Sequence, residues 1–421
     1  MTGVLARRAR GAPGLVVVGA GIAGLRTVQT VRAQGYDGPI DLVGGEPHLP
    51  YDRPPLSKQV LTGELPPTPP EFLDAAQLGA LDVRVHTGVR AEQVDVDARW
   101  VLVGGERLPY TGLVLATGAR PRPLRCLAGR TGVHLLRTIE DAVALRAELH
   151  GGPRRIAVVG AGFIGAEVAS SAAGLGHTVT VVEAAPVPMS RAVGPDVGRL
   201  LARLHQQHGV ALRCGAAVTG AVGNGSMEAL VLGDGSTVEA DVVVVGTGVI
   251  PDVEWLRDSR LPLTDALVCD ATLNAGPEGV YGAGDAVSWP NGRLGGRVTR
   301  SQQWTTAADQ GRHAGLALVH GPEQAAAFGS DLYFWSDQYG RRIQGAGDLA
   351  TAPTSVLECD DELRRLVVAY RDEDHVSGVV AVNAPRDFRA LRTGIGSTPW
   401  AETVPAATTS ISPSPDAALT S

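Results

Sequence analysis

The sequence has few cysteines and no long apolar run. Four of its 421 residues are cysteine, and none of them forms a C-x-x-C pair: Cys126, Cys214, Cys269 and Cys359. Scattered cysteines are typical of a reducing compartment, and they predict a cytoplasmic protein. No apolar segment approaches the roughly 18 residues that a membrane-spanning helix needs.

Positive charge is also in short supply. The formal net charge is −7, which argues against a nucleic-acid-binding protein. The ten histidines form no cluster of the kind that holds a metal. His205 and His208, in "HQQH", have a spacing that favours a solvated helix face over a metal site, so we predict no metal.

The amino terminus, "MTGVLARRARGAPGLVVVGAGIAG", combines a basic start with an apolar stretch, as a secretory signal does. Cleavage of such a signal would destroy the glycine motif that the stretch contains. We therefore favour a basic tail of about 13 residues ahead of the first strand.

The first glycine motif follows a predicted buried strand. In "GLVVVGAGIAGL", Gly19, Gly21 and Gly24 have G-x-G-x-x-G spacing, which is weak by itself because the chain has 54 glycines. A predicted helix follows at 22–34, and then a second strand that ends at Glu46, 22 residues after Gly24. Such glycines let a backbone approach a pyrophosphate at a helix N-terminus, and the acid can accept from a ribose hydroxyl.

The same pattern occurs a second time. "RIAVVGAGFIGAEVASSAAGLGHTVTVVE" places Gly160, Gly162 and Gly165 between a strand and a helix, and its next strand ends at Glu183. The sequence contains no third G-x-G-x-x-G motif. Two matches in full strand–helix–strand–acid context predict two dinucleotide-binding sites.

Three further segments join these units. "YTGLVLATGARPRP" (110–123) and "ADVVVVGTGVIPD" (240–252) each read as a strand and a turn, and each follows its own nucleotide-binding unit. "GVYGAGDAV" (279–287) contains Asp285 and comes after the second unit has closed. This order indicates that the chain returns there to the first domain.

The stretch "YDRPPLSK" (51–58) predicts a stiff loop. Two prolines stand between Arg53 and Lys58, and proline fixes φ and favours extended geometry in the residue before it. Such stiffness matters if a charge has to be held at a fixed distance from another group.

Together these motifs resemble the two-dinucleotide-binding-domain flavoprotein disulfide reductases. More narrowly, they resemble the ferredoxin reductases of oxygenase systems, relatives of putidaredoxin, rubredoxin and biphenyl-dioxygenase ferredoxin reductases and of apoptosis-inducing factor. "YDRPPLSK" and "FWSDQY" are the most specific markers, and the markers run from about residue 15 to 390.

The resemblance implies an α/β fold with two Rossmann-like dinucleotide-binding domains and a smaller α+β C-terminal domain. The implied boundaries are 14–120 and 251–325 for a discontinuous FAD-binding domain and 121–250 for an NAD-binding domain. A C-terminal interface domain would span 326–400, and 401–421 would form a disordered tail.

The resemblance also assigns roles to residues. Lys58, Glu167 and Trp304 would act at the flavin, with Lys58 near N5, Glu167 facing Lys58 and Trp304 beside the isoalloxazine ring. An acid that many relatives have at Gly45 is missing, which leaves Glu46 as the expected partner of the FAD ribose. The full expected cofactor-binding set is Gly19, Gly21, Ile22, Ala23, Gly24, Glu46, Arg53, Lys58, Ala91, Ala116, Thr117, Gly118, Arg137, Gly160, Gly162, Phe163, Ile164, Gly165, Glu183, Gly248, Gly284, Asp285 and Trp304.

The chain departs from the disulfide reductases in lacking a redox-active cysteine pair, and no cysteine precedes Cys126. The implied function is therefore electron transfer from NADH through FAD, singly, to an iron–sulfur ferredoxin that serves a haem-thiolate monooxygenase or a dioxygenase. Two alternatives remain open. One is a reductase of a small molecule of the monodehydroascorbate or quinone type, and the other is a redox-sensing interaction protein like apoptosis-inducing factor.

A basic stretch offers a docking surface for such a ferredoxin. "NGRLGGRVTRSQQW" contains Arg293, Arg297 and Arg300 and no acid. Arg341 and Arg342 begin the domain expected to cover the same side. Scattered solvated arginines are the alternative interpretation.

Overall fold

The computed structural model describes residues 13–321, 325–350 and 354–403. The chain divides into two compact units, one of Met1–Asp52, Pro69–Arg120 and Ile250–Ser330 and one of Arg53–Thr68, Pro121–Val249 and Asp331–Ser421. The predicted amino-terminal tail lies outside the described residues, as does most of the predicted C-terminal tail.

The first unit contains five parallel strands, and the strand that precedes the first glycine motif, Gly14–Val18, lies at their centre. Their order is Arg84–His86, Ile40–Val43, Gly14–Val18, Glu106–Leu115 and Val280–Gly282. The central strand is buried along its whole length, as expected for a strand with helices on both faces.

The strand Glu106–Leu115 forms both parallel and antiparallel pairs within one sheet. Its second half pairs in parallel with the glycine strand, while its first half pairs antiparallel with Trp100–Val103. That strand pairs in turn with Ala91–Asp95. The remaining strands of this unit form a small sheet, in the order Leu267–Val268, Val287–Asn291 and Arg297–Thr299.

Two long helices of the first unit pack closely together. Ile22–Ala33 lies against Trp304–His320, and a Cβ at Gly311 would collide with the Ala23 carbonyl oxygen. The Thr27 hydroxyl lies 3.0 Å from the Gly311 carbonyl oxygen. The shorter helices of this unit are Ala75–Ala80 and the 3₁₀ turns Glu254–Leu256, Gly284–Ala286 and Gly292–Leu294.

The second unit contains the other parallel sheet. Its order is Ala211–Cys214, Thr178–Glu183, Arg155–Val159, Val242–Val245 and Val133–His134. Its helices are Ile139–Leu149, Phe163–Gly174 and Ser190–Gln207, with a 3₁₀ turn at Arg125–Leu127. A three-stranded antiparallel sheet follows the order Val218–Val222, Ala229–Leu232 and Thr237–Glu239.

The second unit also contains a five-stranded antiparallel sheet. Its order is Phe334–Gln338, Arg341–Gly347, His375–Val382, Leu366–Asp372 and Thr354–Cys359. Helix Pro385–Thr393 contributes the buried Phe388, and Trp400–Thr403 forms a last short helix. Two parallel sheets and this α+β portion confirm the predicted fold class.

The segment 53–68 groups with the second unit, although the sequence placed it in the FAD-binding domain. It forms a 3₁₀ turn, Pro54–Ser57, and a short helix, Gln59–Thr62. The Arg146 guanidinium donates to the Val60 and Leu65 carbonyls at 3.0 and 2.8 Å. These hydrogen bonds attach the loop to helix Ile139–Leu149.

The other predicted domain boundaries do not coincide with those of the two compact units. Most of the predicted NAD-binding and C-terminal domains lies in the second unit, while residue 250 and residues 326–330 belong to the first. Residues 401–403 of the predicted tail belong to a helix. The strands Ala119–Pro121 and Val249–Pro251 lie where the chain leaves the first unit and returns to it.

Candidate functional site

The first glycine turn has an open backbone at its middle glycine. A Cβ at Gly19 would collide with the Ala116 carbonyl oxygen, and one at Gly24 with the Gly19 carbonyl oxygen. Packing therefore requires both outer glycines. A Cβ at Gly21 would meet no atom of the described residues within 4 Å, so packing does not explain this glycine, whereas access of a phosphate to the backbone does.

The second glycine turn repeats this geometry in the second unit. A Cβ at Gly160 would collide with the Gly246 carbonyl oxygen, and one at Gly165 with the Gly160 carbonyl oxygen. Gly162 again faces open space within the described part of the chain. Helix Phe163–Gly174 begins directly after it, which directs free N–H groups and the positive end of the helix dipole toward that space.

An acid lies over the second glycine turn, and another follows the second strand of the first unit. Glu183 accepts hydrogen bonds from the backbone N–H groups of Ala161, at 2.7 Å, and Ala185, at 2.8 Å. Its carboxylate is therefore held over the second turn. Glu46 follows the strand Ile40–Val43 and accepts from the Tyr51 hydroxyl at 2.5 Å.

Several expected FAD contacts meet at the carboxyl end of the first sheet. Ala116 donates its N–H to the Val18 carbonyl at 2.7 Å, and the Thr117 hydroxyl donates to the Asp252 carbonyl at 2.8 Å. Gly284, beside the buried Asp285, approaches the first helix so closely that an added Cβ would lie 3.3 Å from the Ala23 Cβ. The turn 116–118 and the turn that contains Asp285 thus flank the first glycine motif.

Trp304 is fixed by a hydrogen bond from its ring. Its Nε1 donates to the Asp52 carboxylate at 2.8 Å, and its ring centroid lies 6.4 Å from that of Phe72. Backbone hydrogen bonds join the segments that contain Asp52 and Phe72, since the Phe72 N–H donates to the Pro50 carbonyl and the Asp52 N–H donates to the Pro70 carbonyl. The proline-rich segment before Phe72 therefore returns along residues 50–52 and supports Trp304.

Lys58 and Glu167 form an ion pair within the second unit. Lys58 Nζ lies 2.7 Å from Glu167 Oε2, and the two side chains are 13% and 8% exposed. The stiff loop places Lys58 directly after the 3₁₀ turn Pro54–Ser57, and Glu167 lies on helix Phe163–Gly174. The expected contact between Lys58 and Glu167 is present, and both residues lie in the second unit.

The other expected cofactor residues are more scattered. Arg53 donates to the Arg137 carbonyl at 2.6 Å in the second unit. Ala91 opens the strand Ala91–Asp95 of the first unit. Gly248, with φ of 99°, accepts from the Arg122 N–H at 2.9 Å. None of these contacts by itself indicates a cofactor.

One signal in the sequence was missed. The chain has 37 lysines and arginines in total, and Lys58 is the sole lysine among them. Arginine occupies every other cationic position, so position 58 stands out by residue type alone. Lysine and arginine differ in shape and hydrogen-bonding geometry, which suggests a requirement for a compact ammonium group there.

The cysteines and histidines of the described residues form no redox or metal centre. All four cysteines are free thiols, and burial raises the pKa of Cys214 to about 11 and of Cys269 to about 12. The described part of the chain contains no group of metal-ligand residues. The solvated-face interpretation was wrong for His205, which is 2% exposed and lies with Nδ1 2.7 Å from the Tyr339 hydroxyl.

The predicted basic surface is only partly available. Arg293 and Arg297 are exposed, and Arg300 pairs with Asp265. Arg342 pairs with Asp337 through two hydrogen bonds, at 2.7 and 2.9 Å. Arg300 and Arg342 are therefore neutralised locally. The sequence could not show the first pair because Asp265 is 35 residues from Arg300, whereas Asp337 lies only five residues before Arg342.

Two family models match the chain. Residues 13–311 match the model described as pyridine nucleotide-disulphide oxidoreductase, and residues 333–410 match the model described as reductase C-terminal. The described helices include none that is long and apolar enough to cross a membrane.

Relatives match nearly end to end. The ferredoxin–NAD(+) reductase component of the p-cumate 2,3-dioxygenase system of Pseudomonas putida is 36% identical over 384 residues, covering 90% of this chain and 92% of that protein. The covalent putidaredoxin reductase–putidaredoxin complex has a TM-score of 0.84 at 29% identity, covering 91% of this chain and 93% of that chain. The ferredoxin reductase for the CYP199A2 system from Rhodopseudomonas palustris has a TM-score of 0.82 at 31% identity, covering 88% of this chain and 91% of that chain.

Proposed function

Because this chain belongs to the pyridine nucleotide-disulphide oxidoreductase family, we propose that it is an FAD-dependent NADH:ferredoxin oxidoreductase. The observation that carries the proposal is the near end-to-end similarity to ferredoxin–NAD(+) reductases, which includes the C-terminal reductase portion. The ferredoxin would serve an oxygenase, since the relatives are named as components of dioxygenase and CYP systems.

The first unit suits FAD. Its glycine turn leaves the backbone at Gly21 open for a pyrophosphate. Glu46 would accept from the ribose, Asp285 would contact the ribityl chain, and Trp304 would lie beside the flavin ring. Bound FAD supplies the exchange between a two-electron donor and a one-electron acceptor.

The second unit suits NADH. Gly162 leaves the turn open, and the Glu183 carboxylate lies 2.7 Å from the backbone nitrogen of Ala161 within that turn. A carboxylate held there accepts from a ribose 2′-hydroxyl and repels a 2′-phosphate. We therefore assign NADH, and not NADPH, as the electron donor.

The ion pair supplies electrostatics to the reaction. Lys58 would stabilise the negative charge that develops on the reduced flavin, and Glu167 would hold the ammonium group in place. No acid–base pair is required, because the protein's contribution to such chemistry is binding, orientation and charge.

The thiols do not offer an alternative electron path. The sequence has no cysteine pair of the redox-active kind, and the raised pKa values of Cys214 and Cys269 keep both protonated near neutral pH. Electrons would therefore leave the flavin directly. The four free thiols also support a cytoplasmic location, which localisation of a tagged protein in cells would test.

Steady-state kinetics with a panel of acceptors tests the proposal. We expect kcat/KM for at least one [2Fe–2S] ferredoxin to exceed that for quinones and for monodehydroascorbate when NADH is the donor. Efficient turnover of a small molecule with no response to any ferredoxin would favour a small-molecule reductase. Slow turnover with every acceptor, together with an NADH-dependent change in association, would favour a redox-sensing interaction protein.

A further inference from the structure

The carboxylate of Glu167 is surrounded by hydrogen-bond donors. Oε2 accepts from Lys58 Nζ at 2.7 Å and from the Ser57 hydroxyl at 2.5 Å. Oε1 accepts from the Ser336 hydroxyl at 2.7 Å and from the Asp337 N–H at 3.2 Å. These four donors come from the stiff loop and from the first strand of the antiparallel sheet.

The neighbours of Ser336 fix the direction in which its hydroxyl points. Gln338 Nε2 donates to Ser336 Oγ at 3.1 Å, and an amide nitrogen can only donate. Ser336 must therefore use its own proton toward Glu167. Ser336 is 0% exposed and Gln338 is 1% exposed, so water does not compete for these positions.

Saturation of the carboxylate explains why a lysine occupies position 58. A carboxylate offers about four acceptor sites, and Ser57, Ser336 and the Asp337 N–H occupy three of them. One site is left, which a single N–H of an ammonium group fills. The two-pronged guanidinium of arginine would need two sites.

We propose that Ser336 is a positioning residue for the reaction, because it fixes the Glu167 carboxylate and thereby the ammonium group of Lys58. The chain of donors runs from Gln338 through Ser336 to Glu167 and then to Lys58. The position of the charge that acts at the flavin would thus be fixed by the five-stranded antiparallel sheet, which contains Ser336. The relevance of this chain to electron transfer rests on the proposed function, whereas its geometry does not.

The sole lysine makes this testable without turnover. Acylation of Lys58 by acetic anhydride, followed by peptide mass spectrometry, reports how often its amine leaves the ion pair. We expect Ser336→Ala to make Lys58 acylation about tenfold faster, as the loss of a charge-assisted hydrogen bond implies. Ser377→Ala is the matched control, because Ser377 lies in the same sheet. Its buried hydroxyl has no hydrogen-bond partner among the described residues, so this variant should leave the acylation rate of Lys58 unchanged.

A double-mutant cycle shows whether Ser336 acts through Glu167. Glu167→Gln should accelerate acylation more than Ser336→Ala does, and adding Ser336→Ala to Glu167→Gln should then change nothing further. An effect of Ser336→Ala that persists undiminished without the carboxylate, or wild-type acylation in Ser336→Ala, would overturn the proposal. If Ser336→Ala does not fold, Ser336→Cys, which keeps the size of the side chain but offers only a weak donor, is measured in the same cycle.

The same variants separate this inference from the proposed function. Stopped-flow reduction of the bound flavin by NADH should slow in Ser336→Ala with the KM for NADH unchanged, and the double variant should be no slower than Glu167→Gln alone. If acylation responds as expected while wild-type protein reduces no ferredoxin, the proposed function fails and the positioning of Lys58 by Ser336 stands.

Discussion

At the scale of single residues, the proposed function depends on two charged groups, the Lys58 ammonium group and the Glu183 carboxylate. Each lies in a network of hydrogen bonds. The Lys58 ammonium group meets a carboxylate whose other acceptor sites are filled by Ser57, Ser336 and a backbone N–H. The Glu183 carboxylate is held by two backbone N–H groups. Neither charge can move away without breaking such bonds, so substitutions at both positions should have specific effects.

Replacement of Lys58 should show that charge alone is insufficient. We expect Lys58→Arg to slow flavin reduction by NADH nearly as much as Lys58→Ala, within about threefold, because the saturated Glu167 carboxylate cannot accept a guanidinium in two-pronged geometry. FAD should remain bound in both variants. Stopped-flow absorbance checks this, and wild-type rates in either variant would show that Lys58 is only a loop charge.

The fixed carboxylate of Glu183 should set the choice of nicotinamide cofactor. We expect kcat/KM for NADH to exceed that for NADPH by at least roughly tenfold, or about 1.4 kcal/mol, since the carboxylate repels a 2′-phosphate. Glu183→Ala should lower this ratio, mainly by lowering kcat/KM for NADH. Equal or better use of NADPH by the wild-type protein would show that Glu183 does not face the ribose.

At the scale of elements, the two glycine turns separate packing from binding. The outer glycines are required by close backbone contacts, whereas Gly21 and Gly162 face open space within the described residues. Gly21 has φ of −84° and Gly162 has φ of −81°, so neither needs glycine for its conformation. What remains to explain these two residues is a ligand.

Alanine at the middle glycines should therefore impair binding without impairing folding. We expect Gly21→Ala to keep the melting temperature of the apoprotein but to raise the Kd for FAD about 100-fold, because a methyl group would displace the pyrophosphate from the backbone donors. Gly162→Ala should instead raise the KM for NADH and leave FAD bound. Calorimetry measures the melting temperature, flavin fluorescence measures the Kd for FAD, and steady-state kinetics measures the KM for NADH.

Gly24→Ala provides the contrasting variant. Its Cβ would collide with the Gly19 carbonyl oxygen, so this variant should lose stability in the absence of any cofactor. If Gly21→Ala destabilised the apoprotein as much as Gly24→Ala does, packing would explain all three glycines and the case for a ligand at the turn would be lost.

The sequence predicted the elements well because their signals are periodic and local. Both glycine turns are present as expected, each between a strand and a helix. The strand expected to end at Glu183 does so, whereas the strand expected to end at Glu46 ends at Val43. The sequence could not predict the grouping of 53–68 with the second unit, where Arg146 donates to two carbonyls of this segment. It also missed Ser336 and the Arg300–Asp265 pair, because a single contact between distant residues leaves no pattern in one sequence.

At the scale of the whole molecule, charge opposes the proposed partnership. The net charge is −7, and ferredoxins are generally acidic, so the long-range field should repel them. Productive docking then requires a local basic surface. Arg293 and Arg297 are exposed on the segment that leads to Trp304, whereas Arg300 is paired with Asp265.

Salt and charge reversal should reveal this surface. We expect ferredoxin reduction to fall as ionic strength rises past the point where the Debye length is about 8–10 Å, while reduction of an uncharged dye stays constant. Arg293→Gln should raise the KM for ferredoxin and Arg293→Glu should raise it further, with the KM for NADH unchanged. A flat salt response, or equal kinetics in the two variants, would place docking elsewhere.

The measurement that tests the central claim most directly is the stoichiometry of electron transfer under anaerobic conditions. Purified holoprotein is mixed with a known amount of NADH and an excess of oxidised ferredoxin, and both reactants are followed by absorbance. A flavoprotein that converts a two-electron donor into one-electron deliveries should reduce two ferredoxins for every NADH consumed. NADH consumption that leaves every ferredoxin of the panel oxidised would contradict the account.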